Sequence, residues 1–346
     1  MGSLLELQEF EAPRRAPVPV SRAPIQWPPA GTPTLTRHPR LGYGQVYPPP
    51  RGGRPQSELE YEVIGADTRG FVKDTRQIPC RFVCWLALIF RDPITAAVTT
   101  FRGTGTLISP RHVLTAGHNL FDTFHGALTA VHEVRVAPGF NCLEKRGDIL
   151  GMAISRDTAV SAQWAAAQND NFDYGVITLP TAIGSSRPQA LGGAQLGWWG
   201  SKDLGGDTRI NPVTVARLRG IGVGVNGYPA DKCCLRGADD GLCNSPMTVT
   251  CREILWATAQ FRAFGRITDP SPVAIPGVFH YDADTCGGHS GSPVWVTWRD
   301  DKSGRTYRNL VGIHTGARGL TPGPGRTNEA VRITDAVMAD VRTLMH

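Results

Sequence analysis

The chain has 346 residues, 41% of them apolar and 19% charged, which is globular rather than disordered or fibrous composition. A formal net charge of +6 would suit a polyanion, but the Lys and Arg are scattered without basic runs or interleaved aromatics, which argues against nucleic-acid binding. No apolar run approaches the roughly 18 residues a membrane span needs.

Residues 1–62 hold 12 of the 27 prolines, including Pro48-Pro49-Pro50, and are expected to form an extended, largely disordered arm or pro-segment. Met1–Glu9 lacks a basic start, a sustained apolar core and a cleavage site, so it does not read as a secretory signal. From about Val63 the texture changes to short apolar runs punctuated by Gly, Pro, Asn and Asp. Residues 82–90, 105–108, 113–115, 134–136, 175–179, 213–218, 294–298, 310–313 and 330–333 read as strands. Residues 155–170 fit either a short helix or a loop insertion. Val337, Met338, Val341, Leu344 and Met345 recur at helical spacing after Thr334 or Asp335, which predicts one closing helix. The pattern is all-β, a barrel or a sandwich.

Eight cysteines stand at 80, 84, 142, 233, 234, 243, 251 and 286. The even count favours disulfides, with connectivity open. The crowd at 233–251 lacks the paired C-x₂-C spacing of structural zinc sites and reads as a disulfide-stapled loop.

The densest chemical signal is Gly287-Gly288-His289-Ser290-Gly291-Ser292-Pro293-Val294. Small neighbours allow a sharp turn that brings backbone N–H groups to whatever the serine attacks. A serine hydroxyl alone is a poor nucleophile and needs a base. His118, after Leu114-Thr115-Ala116-Gly117 at the end of a strand, is the candidate. Asp173, which opens Gly175-Val176-Ile177-Thr178-Leu179, is the carboxylate to orient it, with Asp170 as its competitor. A nucleophile elbow of the α/β-hydrolase kind would be followed by a helix, with the histidine late in the chain. Here strand residues follow Ser290 and the histidine precedes it. The oxyanion donors are the N–H groups of Gly288 and Ser290.

The order His118, Asp173, Ser290, at separations of 55 and 117 residues, resembles the chymotrypsin-fold serine proteases, in particular the bacterial glutamyl endopeptidase-like branch. Further motifs in matching order are Gly105-Thr106-Leu107-Ile108, Gly227-Tyr228-Pro229-Ala230-Asp231-Lys232, Asp284-Thr285, Gly312-Ile313-His314 and Ala330-Val331-Arg332-Ile333. Coverage runs from about Val63 to the C-terminus. The resemblance implies two six-stranded antiparallel barrels, about 63–190 and 191–346, with the site between them. It implies a secreted or exported monomer that acts on proteins or peptides, with no metal or organic cofactor, no nucleic acid and no membrane partner. It also implies that His314 and Thr285 hold a glutamate or aspartate side chain before the scissile bond. A mature chain beginning at Val63 follows too, since Glu62-Val63 lies in an acidic stretch such an enzyme could cut.

Two departures stand out. His289 occupies the place of the aspartate that pairs with a new N-terminus in animal trypsin-like zymogens, so that switch does not apply. Cys286 has no downstream partner and could pair only with an earlier cysteine. The competing readings are the same triad with another preference, or a protease-fold binding protein without turnover.

Overall fold

The computed structural model describes residues 63–92, 95–124, 127–141, 148–201, 204, 207–232, 258–299, 304–318 and 327–346. The Pro-rich arm 1–62, the Cys233–Cys251 cluster and Cys142 lie outside these residues.

The chain folds as two antiparallel barrels. In the first, seven strands pair in the order Ala153–Ser155, Glu133–Pro138, Val83–Arg91, Val98–Leu107, His112–Thr115, Gly175–Thr178 and Asp157–Val160. Its two end strands are separated in sequence by Arg156 alone, so the sheet curls almost shut. The second closes fully. Gly222–Gly227 pairs with Phe261–Asp269, which pairs with Val278–Tyr281, then Thr327–Arg332, Thr306–Arg318 and Pro293–Arg299, and the last returns to Gly222–Gly227. Closure leaves none of these six strands with an unpaired edge.

Strand Val83–Arg91 shows why an unbroken apolar run was needed. Phe82, Cys84, Leu86, Leu88 and Phe90 enter one apolar cluster, while Val83, Trp85 and Ala87 enter a second with Ala137, Phe140 and Tyr228. Alternate side chains point to opposite faces, and here both faces are buried. The first cluster also spans the barrel junction, where Trp199 meets Phe82 of the first barrel at 6.3 Å and Trp295 of the second at 6.0 Å between ring centroids. Each such aromatic removes some 150–250 Å² from water, so the junction is core rather than a hinge surface.

The closing helix is Asp335–Leu344, its first turn capped by the Thr334 hydroxyl, which accepts from Val337 N at 3.1 Å. Its Val337, Met338 and Val341 complete the core. The ambiguous stretch 155–170 resolves into strand Asp157–Val160 and helix Ala162–Ala167, capped by Ser161. One expected strand is corrected: within 213–218 the chain makes a single helical turn, Val215–Leu218. Only Leu218 is buried there and, among the described residues, 213–218 pair with no strand, so the β-branched residues join no ladder. The strand Gly70–Phe71 pairs with Phe261–Arg262 of the second barrel, although it precedes the first in sequence.

Candidate active site

His118 sits in the short turn Gly117–Asn119, immediately after strand His112–Thr115. Asp173 follows the turn Asp170–Phe172 and leads into Gly175–Thr178, which is the neighbour of His112–Thr115 in the sheet. Register alone therefore brings the two together: Gly175 lies opposite Thr115. The Asp173 carboxylate accepts from His118 twice, from the backbone N at 2.9 Å and from ring Nδ1 at 2.8 Å. Both side chains are fully buried. It is Asp173, not Asp170, that meets the imidazole.

A carboxylate can only accept, so Nδ1 carries the proton and Nε2 is left as the basic nitrogen. Nε2 is buried and bonds to no described residue, so the Ser290 hydroxyl is not yet hydrogen-bonded to it. Such a gap is common before substrate binds, because catalytic bonds tighten in the reacting complex.

Behind the imidazole stands Trp164, a buried residue that sequence reasoning left unassigned. Its ring meets His118 edge-on at 6.3 Å, and its Nε1 donates to Phe121 O at 2.7 Å. Ser161 places it: the hydroxyl caps Trp164 N and donates to Phe172 O at 2.7 Å, next to Asp173. A serine three residues before a tryptophan is a legible cap signal, but nothing local said which ring the tryptophan would cover.

Ser290 arrives from the second barrel, on a loop whose shape depends on two glycines. Gly288 has φ +91°, and a Cβ there would lie 2.4 Å from Tyr228 O. Gly291 has φ +86°, and a Cβ would lie 2.0 Å from Thr104 O. Only glycine fits either place. The Ser290 carbonyl accepts from Thr104 N at 2.9 Å and from Asn119 Nδ2 at 2.9 Å. Asn119 is the residue after His118, so the candidate base and the Ser290 loop are moored at adjacent positions. Thr104 also donates its hydroxyl to Gly288 O at 2.7 Å. Neither Thr104 nor Asn119 was singled out by the sequence, since their partners Gly288 and Ser290 are 184 and 171 positions away. The amides of Gly288 and Ser290, the expected oxyanion donors, make no bond to a described residue.

His289 is buried and exchanges contacts between Nδ1 and the Cys286 backbone. Burial, reinforced by the charge of Arg69, holds its pKa well below the ordinary histidine value, so the ring is neutral. A neutral ring cannot pair with a new N-terminal ammonium as an aspartate would.

The pocket residues are likewise buried. His314 Nδ1 lies 2.7 Å from the Tyr281 hydroxyl and 3.0 Å from Glu329 O. A carbonyl oxygen can only accept while a tyrosine hydroxyl can donate, so Nδ1 either directs its proton at Glu329 O or accepts from Tyr281, according to the tautomer. Thr285 donates its hydroxyl to Asn328 Oδ1 at 2.7 Å, and Asn328 Nδ2 donates to Ala283 O at 2.8 Å. The threonine proton expected to greet a carboxylate is thus committed to Asn328. Among the described cysteines, Cys80 and Cys84 are buried free thiols.

No protein-family model matches the chain. It is 24% identical over 300 residues to the extracellular metalloprotease of Bacillus subtilis, covering 83% of this chain and 73% of that protein. It is 27% identical over 280 residues to the glutamyl endopeptidase of Bacillus licheniformis, covering 80% of this chain and 66% of that one. Among solved structures, a Glu endopeptidase in complex with MPD superposes with a TM-score of 0.55 at 23% identity, covering 82% of this chain and 99% of that chain. The chain therefore has the chymotrypsin-like two-barrel fold, and in sequence and structure it is similar to the glutamyl endopeptidases.

Proposed function

We propose that the chain is a serine endopeptidase acting on proteins or peptides, working with Ser290, His118 and Asp173. His118 Nε2 takes the Ser290 proton as the oxygen attacks the scissile carbonyl, and returns it to the leaving amine. Asp173 fixes the tautomer and stabilises the imidazolium that forms. The Gly288 and Ser290 amides receive the oxyanion, an effect typically worth about 2.7–4 kcal/mol per donor. The observation that carries the reading is the paired bond from one buried carboxylate to both the backbone and Nδ1 of His118, leaving Nε2 unbonded, while the next residue, Asn119, bonds Ser290 O.

The pocket supports a preference for glutamate or aspartate before the cut. With its Nδ1 proton directed at Glu329 O, His314 offers Nε2–H to an entering carboxylate once protonated. That doubly protonated ring is favoured by the substrate's own charge. Thr285 contributes by turning its proton away from Asn328. Of the relatives' names, extracellular metalloprotease agrees with action outside the cell but not with a serine mechanism, and glutamyl endopeptidase agrees with this preference. Self-cleavage at Glu62-Val63 belongs to the same reading.

The test joins an active-site probe to a substrate profile. A fluorophosphonate is expected to label the protein and to lose that labelling in Ser290→Ala. A mixed peptide library is expected to be cut after glutamate or aspartate. A folded, processed protein that takes no label refutes the hydrolase and leaves a binding protein. Random residues before the cut sites refute the role of His314 and Thr285.

A further inference from the structure

Residues 64–72 carry none of the proposed chemistry, yet they are fastened to both loops that do. The Ile64 and Thr68 amides donate to the two oxygens of Asp284, each at 2.7 Å, and the Thr68 hydroxyl donates to the second oxygen as well. Asp284 is 2% exposed and immediately precedes Thr285. One residue past Thr68, Arg69 forks onto Asp231, with Nη1 to Oδ1 at 2.9 Å and Nη2 to Oδ2 at 2.6 Å. Its Nε and Nη2 also reach Asp67 at 2.9 and 2.7 Å, and Lys232 Nζ lies 3.0 Å from Asp67. Asp231 follows Ala230, whose amide donates to Gly287 O at 2.6 Å.

Residues 64–69 thus bridge two places. One is the start of the 284–290 loop at Asp284. The other is the 228–232 loop, against which Gly287 and Gly288 rest. A glycine pair has little rigidity of its own, so the spacing between Thr285 and Gly288 has to be imposed from behind. A buried carboxylate receiving three donors, and a buried bidentate guanidinium pair, are the strong directional contacts that can impose it.

We propose that Asp284 is a positioning residue for the substrate pocket. Through Ile64 and Thr68 it locks Thr285 in place, while the Arg69–Asp231 pair steadies the oxyanion loop. The inference rests on the protease reading and assigns a part of the chain outside the triad to its selectivity. A chain that begins at Val63 keeps every one of these bonds.

The experiment uses the full chain and two measurements. One is the rate of fluorophosphonate inactivation, which needs the triad and the oxyanion hole but no pocket side chain. The other is the ratio of kcat/KM for the best library peptide to that for the same peptide with alanine before the cut. In Asp284→Asn one oxygen becomes a donor that faces other donors. The selectivity ratio is expected to fall about tenfold or more, with the inactivation rate within about threefold of the parent, on the usual strength of bonds to a charged acceptor. Thr68→Val removes a single bond and should lower the ratio less, while Thr68→Ser should restore it. If Asp284→Asn does not fold, the Thr68 pair decides alone. An unchanged ratio, an equal fall in both measurements, or a parent enzyme without any preference overturns the proposal. A parent that neither labels nor cleaves refutes the protease reading instead.

Discussion

The half of the site built by the first barrel and the half built by the second are prepared in opposite ways. On the first, Asp173 spends both oxygens on His118, and Trp164 closes the space behind the ring, so the proton-transfer groups are set before any substrate arrives. On the second, the polar groups of the pocket are bonded to one another, Thr285 to Asn328 and His314 to Tyr281. Binding there has to exchange existing bonds for new ones. Preorganised dipoles lower a barrier without reorganisation at the moment of reaction, whereas exchanged bonds contribute only their difference. On the proposed function, the first barrel brings the proton-transfer pair already set, while the second brings Ser290, the Gly288 and Ser290 amides, and a pocket that must exchange bonds to bind.

The sharpest way to break it is Asp173→Asn. Losing the tautomer-fixing carboxylate should lower kcat by about 10⁴-fold with the fold intact, measured on the best library peptide. A drop of less than about tenfold would mean that the first half is not the prepared one. Thr285→Val should act more weakly and elsewhere. It removes a hydroxyl whose proton already has a partner, so kcat/KM for a glutamyl peptide should fall about three- to tenfold, chiefly through KM. A loss confined to kcat would put Thr285 on the chemical side of the comparison. The smallest effect concerns stability rather than turnover. The His289 pKa is depressed by burial and then by Arg69, so the unfolded chain takes up a proton there that the folded one refuses. The stabilisation is complete above the unfolded histidine value of about 6.5 and drains away as pH falls below it. Burial opposes the charge of Asp67, but the bonds and charge of Arg69 outweigh it and hold its pKa far below the carboxylate range. Its contribution is kept above about pH 4 and lost on further acidification. Urea midpoints should fall from pH 7 to pH 5, and His289→Gln should flatten that step while sparing the acid limb. A parent whose midpoint is constant over that interval contradicts the neutral ring.

What was legible in the sequence follows from range. Strands Val83–Arg91 and Pro293–Arg299 announce themselves by β-branched and aromatic runs, and Gly-x-Ser-x-Gly announces the loop, because each signal fits within a few residues. His118 and Asp173 could be paired from their strand-end settings, since neighbouring strands carry them. Trp164, Asn119 and Thr104 could not. Each matters through a partner far along the chain, and its own neighbourhood looks ordinary. The turn Val215–Leu218 was misread for the converse reason: β-branched residues favour a ladder only where another strand is available, and availability is a property of the whole fold.

Thr104 shows how much can pass through one small side chain. From its strand in the first barrel it donates to Gly288, receives the Tyr228 amide at 3.0 Å, and through its own amide holds Ser290. All three partners belong to the other barrel. Together with the ring contacts that run from Phe82 through Trp199 to Trp295, this ties the halves into one cooperative unit, so heating should melt them in a single endotherm rather than one after the other. On the proposed function, a peptide meets a junction already held together by these bonds, so no movement of one barrel against the other is needed to assemble the site.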